Sequence, residues 1–435
     1  MQFLIDSSHG KPYHIIVIAF DTADISGAES LNAIGPRLVH RIPGSHIFPD
    51  LCIGHRIKMH CGLLMESQRL PLTVFLIEDR HACVYLMSSA LQQLRNDIKL
   101  IVCGSATSWM INNLIRNRGG LHNRLTHHLI VKPFTLHECE EYFKAYHFGY
   151  SRKQIAECYM VMGGIPYYLS MMDKSKSLAQ NIDQLFFADN AELKDEFNDL
   201  YRALFKKSAD HIAVVTALAT KGMGMTRQEL VKASGGKDNG AFSTVLEELE
   251  QCGFIRLYEP FNTANKMTSD IRQKRNTLFQ LVDFYTLFYF RFIKHNKYQN
   301  SSFWSSSQNS QLYHTWAGLS FEMLCLNHID KIKHALGISG VQTLVCSWRS
   351  SNTEKGTQID LLIDRKDETI NICEMKFYKS EFEISKEYEE KLLEKLRIFT
   401  EETKTSKSLL LTLITSFGLK QNKHSDIVQK QIRSE

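Results

Sequence analysis

Three charged residues toward the C-terminal end of the chain have types and spacing that suit chemistry: Asp360, Glu374 and Lys376. They lie in a stretch where two β-prone apolar runs, Ile359–Ile363 and Thr369–Cys373, flank a polar turn over Asp364–Glu368. That is the pattern of a hairpin. Side chains alternate along a strand, so Glu374 and Lys376 share one face and Met375 takes the other. Asp360 opens the first strand and Glu374 closes the second, and antiparallel pairing brings those two ends together. Two carboxylates at one place suit a hard divalent cation such as Mg²⁺, which keeps several of its waters. Such an ion polarises a phosphoryl oxygen and lowers the pKa of bound water. A lysine alongside can orient that water or balance charge on the phosphate. An E-x-K on a strand is also common as a solvated or cross-strand charge pair, and that reading stays open.

The pattern Asp360…Glu374-Met375-Lys376 resembles the PD-(D/E)XK nuclease superfamily. The resemblance implies Asp360 and Glu374 as metal ligands and Lys376 as the residue that handles the attacking water. Many members add a glutamate from the preceding helix, and Glu322, within Leu319–Leu324, stands at that place. The elements that must position these residues are expected as a helix over His314–Leu336 and strands near Val341–Trp348, Gln358–Ile363 and Thr369–Phe377. A charged helix over Ser385–Thr400 and a strand over Ser408–Thr415 follow. This α-β-β-β-α-β order is the core of that superfamily.

The chain has 435 residues, enough for roughly two to four domains, and its 43% hydrophobic and 23% charged residues place it among ordinary globular proteins. A net charge of +5 permits a nucleic-acid partner without demanding one. Ten cysteines are scattered with no C-x-x-C, and the 18 histidines show no H-E-x-x-H. Reduced, buried thiols and no zinc site are the expectation. Neither a signal peptide nor a span of bilayer length is visible; Leu278–Ile293, the most apolar segment, contains Asp283 and Arg291. The chain is expected to be soluble and cytoplasmic, without a membrane partner.

Toward the N-terminus, apolar strands are expected at Tyr13–Phe20, Pro71–Ile77, Asp97–Cys103 and Leu129–Phe134, with helices over Val84–Asn96 and Ser108–Arg116. Strand, small-residue turn and helix in succession are the grammar of an α/β sheet that binds ligands at its carboxyl ends. The segments Lys99–Met110, Gly119–Arg124, Lys132–Leu136 and Gly163–Leu169 resemble, in that order, the archaeal-type P-loop ATPases of the AAA+/STAND group. The resemblance runs from about residue 97 to the end of the chain. It implies Ser105 as a sensor facing the γ-phosphate and Arg124 as the arginine that completes a neighbour's site. A helix N-cap for Ser105 and a solvated loop charge for Arg124 are the competing readings. The chain departs from the family where phosphate should be held. There is no G-x-x-x-x-G-K-[ST], and Leu76-Ile77-Glu78-Asp79 reverses the expected acidic pair. ATP is therefore a cofactor of the family whose binding here is in doubt, and hydrolysis is expected to be absent.

Residues 137–205 read as helices and fit a lid or a plain helical linker. Residues 206–293 have the grammar of a winged helix: a helix over His211–Thr220, a capping box at Thr226–Glu229, a turn at Gly235-Gly236, and a third helix over Asn239–Cys252. The wing runs from Gly253 to Leu281. The third helix bears Glu247, Glu248 and Glu250, which phosphates repel, whereas Lys266, Arg272, Lys274 and Arg275 lie in the wing. DNA contact and protein packing both remain open for it. Phe284–Phe292 is expected as an aromatic interdomain core, and Ser301–Ser310 as a polar linker.

The sequence thus predicts a multidomain α/β chain. It comprises a degenerate P-loop-like core over 1–136, a lid over 137–205, a winged helix over 206–293, a linker over 294–312 and a PD-(D/E)XK-type domain over 313–435. The expected activity is Mg²⁺-dependent DNA cleavage. The alternatives are a non-catalytic DNA-binding or assembly protein that keeps the folds, and a nucleotide-binding switch. A homo-oligomer or a partner protein is compatible with any of them.

Overall fold

The computed structural model describes the backbone of five strands within residues 15–131, and then residues 132–205, 207–220, 224–258, 261, 277–294, 301–350 and 357–434. The chain is mixed α/β and divides into two units: Met1–Pro133 with Ile165–Tyr167 and Arg202–Lys206, and the remainder from Phe134 onward.

In the first unit the strands are β1 (Ile15–Phe20), β2 (Met59–Leu64), β3 (Leu72–Ile77), β4 (Leu100–Ser105) and β5 (His127–Val131). Four overlap the expected apolar runs, β4 and β5 with their ends shifted by two or three residues; β2, with a glycine and little alternation, carries no such signal. β1 pairs antiparallel with both β4 and β5, and β2 pairs antiparallel with β3. Strands of nucleotide-binding α/β sheets run parallel, so these pairings differ from the sheet that the ATPase resemblance implies. The physical reason is that a short apolar run bounded by turns fits a buried strand of either direction. Ser105 ends β4 opposite Ile15. Arg124 and the helices expected over 84–96 and 108–116 lie outside the described residues.

The second unit begins with α1 (Leu136–Ala145) and α2 (Arg152–Met162). Each opens on a capping box, Thr135 with Glu138 and Ser151 with Gln154, which satisfies two orphan amides reciprocally. Phe134 donates its N–H to the Gly164 carbonyl at 2.7 Å, and a Cβ on Gly164 would stand 1.9 Å from the Phe134 carbonyl oxygen. Only glycine permits that approach. α3 (Pro166–Ser170), α4 (Leu178–Ile182), a π-helical turn over Asp183–Phe187 and α5 (Glu196–Leu204) follow.

Next come α6 (Ser208–Thr220), β6 (Met225–Thr226), α7 (Arg227–Ser234), α8 (Gly240–Gln251), β7 (Ile255–Tyr258) and β8 (Leu278–Leu281). The three strands form an antiparallel sheet in the order β6-β8-β7. The capping box at Thr226 and Glu229 forms, and Gly235 closes α7 with a φ of 70°. Glu248 turns inward, 2.8 Å from His211 Nε2, and joins α8 to α6. Its charge is therefore internal rather than part of a face presented to phosphates. The basic wing residues Lys266, Arg272, Lys274 and Arg275 lie outside the described residues.

Aromatic packing joins the following helices. α9 (Phe284–Phe288) continues as a π-helical turn over Tyr289–Ile293, and α10 (Phe303–Ser307) and α11 (Gln311–Asn327) come after it. Phe288, Phe292, Trp304 and Trp316 meet with ring centroids 5.0 to 5.6 Å apart. The segment expected as a polar linker is thus anchored: Trp304 is fully buried, and its backbone N–H donates to Asp183 Oδ1 at 2.7 Å. One tryptophan in a string of Ser, Gln and Asn is enough to dock it, and average composition hides that. The single long helix expected over His314–Leu336 breaks at His328 into α11 and α12 (Ile329–Ala335). His328 Nε2 accepts from the Leu136 N–H at 3.0 Å.

The last layer is a five-stranded sheet in the order β13-β12-β11-β10-β9, made of β9 (Thr343–Arg349), β10 (Gln358–Arg365), β11 (Thr369–Lys376), β12 (Ser408–Thr415) and β13 (Lys430–Arg433). α13 (Lys386–Thr403) crosses between β11 and β12, which run parallel. It lays Leu392 and Phe399 on a core of Ile359, Leu362, Ile370, Ile372, Leu411 and Leu413. α11 also packs against β11. The cysteines among the described residues, including Cys325, Cys346 and Cys373, are buried free thiols. Among the described residues no helix is long and apolar enough to cross a membrane.

Trp304 yields a stability prediction. Trp304→Ala should cost about 3–5 kcal/mol in urea denaturation, the range for a buried large aromatic. Leu312→Ala, at a residue 42% exposed, should stay within about 0.5 kcal/mol.

Candidate active site

β10 and β11 form the expected hairpin, in the register Leu361↔Cys373 through Asp364↔Ile370. The strands run further into the turn than their composition suggests. Asp364 is a buried strand residue whose Oδ1 accepts from Lys407 Nζ at 2.6 Å, and Glu368 takes the left-handed φ of 59° that the remaining tight turn requires. Asp360 and Glu374 lie just beyond the Leu361↔Cys373 pair, at the open end.

That end is shaped by a bulge. β10 pairs with β9 as Ile359↔Trp348 and then Leu362↔Cys346, so three steps on β10 oppose two on β9. Ile359 and Leu362 consequently both reach the α13 core, and Asp360 sits within the irregularity between them. Bulges re-aim side chains in this way beside active sites. Two hydrogen bonds hold the position. Tyr258, at the end of β7, donates its hydroxyl to the Asp360 carbonyl at 3.2 Å. Gln358 Nε2 donates to Asp360 Oδ1 at 2.7 Å.

Glu374 is the most strongly held carboxylate. Its Oε1 accepts from the Tyr388 hydroxyl at 2.6 Å and stands 2.9 Å from Lys376 Nζ, and its Oε2 accepts from Lys395 Nζ at 2.7 Å. Tyr388 and Lys395 are two helical turns apart on α13, on the stripe that includes Leu392 and Phe399. Burial pushes the Glu374 carboxyl up, but Lys395 and Lys376 outweigh it and hold the group at about 2. Lys376 loses some basicity to burial and regains more from Glu374, so its ammonium is raised above the ordinary lysine value.

Asp360 and Glu322 behave oppositely. Burial, then the Glu374 charge, raises Asp360. Burial, then the Asp360 charge, raises Glu322 to about 8. Among the described residues Glu322 has no hydrogen-bond or ion-pair partner. The four residues expected at this site therefore act on one another's charge, whereas Ser105 belongs to the first unit and Arg124 is not described. Tyr258, Gln358, Tyr388 and Lys395 carry no motif in the sequence. Lys395 alone leaves a trace there, as a cation on the apolar stripe of a helix.

The carboxylate and amide oxygens are hard donors of the kind Mg²⁺ takes. Among the described residues no three His, Cys, Asp or Glu side chains converge closely enough to hold a metal ion. Asp360 and Glu374 would supply two carboxylates, and water the rest, as is common for Mg²⁺. Comparison with protein-family models, curated proteins and solved structures finds no match to this chain.

A carboxyl whose folded pKa is raised favours folding below its unfolded value and loses that contribution as pH rises through the folded one. For Glu322 the window runs from 4.5 to about 8. In metal-free buffer the wild type should lose melting temperature across that window, and Glu322→Gln should lose less. Parallel pH profiles for the two proteins would contradict the assignment.

Proposed function

We propose that the chain is a Mg²⁺-dependent phosphodiesterase acting on DNA, through a PD-(D/E)XK-type domain formed by the elements from α11 to β13. The observation that carries the reading is the junction at the bulged strand end. Two largely buried carboxyls with no cation of their own, Asp360 and Glu322, act there on a third carboxylate that two lysines hold ionised. A crowd of this kind is relieved by a cation, and perturbed carboxyls of opposite shift are what acid–base sites contain.

Asp360 and Glu374 would hold the ion, which when bound supplies Lewis acidity toward a phosphoryl oxygen. Glu374 stays ionised at any physiological pH because Lys395 and Lys376 hold it so. Lys376 stays protonated, so its part is to orient water and balance phosphate charge rather than to accept a proton. Glu322 sits close enough to neutrality to exchange a proton with the attacking water. DNA as substrate draws on the net charge of +5 and on the basic sequence of the wing in residues 206–293, read as a winged helix. ATP, with Ser105 and Arg124, has no part in this activity.

A non-catalytic binding or assembly role is the second reading. The observation that favours it is that both Glu374 oxygens already have protein partners, as in a structural ion-pair network.

The purified chain should nick or degrade plasmid or linear DNA in Mg²⁺ or Mn²⁺ and not in EDTA. Asp360→Ala should lower the rate at least about 100-fold, beyond the 10–100-fold typical of outer-shell changes at metal sites. Cleavage that survives Asp360→Ala, or no cleavage of any DNA form, would leave the non-catalytic reading.

A further inference from the structure

Gln358 brings a buried polar atom without a partner to the strand end that carries Asp360. Its Nε2 is spent on Asp360 Oδ1, while its Oε1 is buried without a hydrogen-bond partner among the described residues. Amide orientation is ambiguous in general, but with Asp360 ionised, as a cation ligand is, the acceptor can only be met by the N–H side. The flipped amide would set two acceptor oxygens 2.7 Å apart. A buried carbonyl oxygen left unpaired costs free energy, so one that persists on an amide bonded to the Asp360 carboxylate points to something that it meets.

We infer that Gln358 is a ligand of the cation site, its side-chain carbonyl supplying the third protein oxygen beside Asp360 and Glu374. The assignment rests on the cation reading of the preceding subsection. Side-chain amide carbonyls are ordinary ligands for hard divalent ions. A neutral oxygen completes the set without adding charge where Asp360, Glu374 and Glu322 are already crowded. It also supplies an oxygen from outside the His, Cys, Asp and Glu set, no three of which converge on a metal site among the described residues. The Asp360 hydrogen bond then has a second use, because it aims the amide so that its oxygen and the aspartate serve one ion. Gln358 keeps its regular pairing with Arg349, and the bulge that displaces Asp360 begins just past Ile359, so both donors lie on one strand end.

The test is Mn²⁺ binding in the absence of DNA, followed by the loss of the free-ion electron paramagnetic resonance signal. The proteins compared are the wild type, Asp360→Ala, Gln358→Ala and Gln358→Glu, each first shown by circular dichroism to be folded. Gln358→Met, which keeps the bulk without a carbonyl, replaces the alanine variant if that one does not fold. Loss of the carbonyl should weaken Mn²⁺ at least about 10-fold. Gln358→Glu should bind as tightly as wild type or more tightly, since it keeps an oxygen at that place while losing the N–H aimed at Asp360. Wild-type affinity in Gln358→Ala would overturn the inference. So would equal weakening in the alanine and glutamate variants, which would make the amide only a positioning group for Asp360. If Asp360→Ala leaves Mn²⁺ binding untouched, the cation reading itself falls and the ligand assignment with it.

Discussion

The mostly buried Glu374 carboxylate, its side chain 14% exposed, and the cations around it are the constraint on which the site depends. An ionised carboxylate taken out of water costs several kcal/mol unless paired and hydrogen-bonded. Here the pairing comes from both sides: Lys376 from the same strand, and Lys395 and Tyr388 from α13. The helix can deliver them only because Leu392 and Phe399, on the same stripe, seat it on the sheet. Hydrophobic packing sets the position of the helix, and that position lets the charge stay buried. Asp360 and Glu322 make no ion pair among the described residues, and burial with the neighbouring carboxyl charge shifts them toward neutrality. One cluster therefore contains a carboxylate fixed in its ionised form and two whose state responds to their surroundings.

The site also depends on a neighbouring element. Tyr258 bonds the Asp360 carbonyl, Phe261 donates its N–H to the Ser347 carbonyl at 2.7 Å, and its ring lies 5.2 Å from that of Phe399. The three-stranded sheet of β6, β7 and β8 is thus joined to the five-stranded sheet at the bulge and at the α13 core. An event that displaces β7 would be felt at Asp360, because its carbonyl would lose a partner where the β10–β9 ladder is already interrupted.

The hairpin was legible in the sequence because its two runs are rich in Ile, Leu and Thr and its turn is polar. Asp360, Glu374 and Lys376 were legible because a strand has a period of two, and Glu322 because a family pattern assigned that place. The helix partners were not: Lys395 reaches Glu374 through tertiary packing between residues 21 apart, and periodicity shows only which face a residue takes. The bulge was hidden because one extra residue in a strand leaves no compositional mark. Trp304 was hidden by averaging over a polar segment. Strand direction in the first unit was illegible for a similar reason, since an apolar run does not carry the sense of its pairing.

Diffraction from crystals grown with Mn²⁺, recorded for its anomalous signal, would show where a cation sits at this junction. One peak is expected in contact with carboxylate oxygens of both Asp360 and Glu374, with at least one lysine withdrawn from Glu374. A Glu374 that keeps Lys376, Lys395 and Tyr388 in Mn²⁺-saturated crystals, with no peak at Asp360, would contradict a cation site here and mark the cluster as a structural ion-pair network.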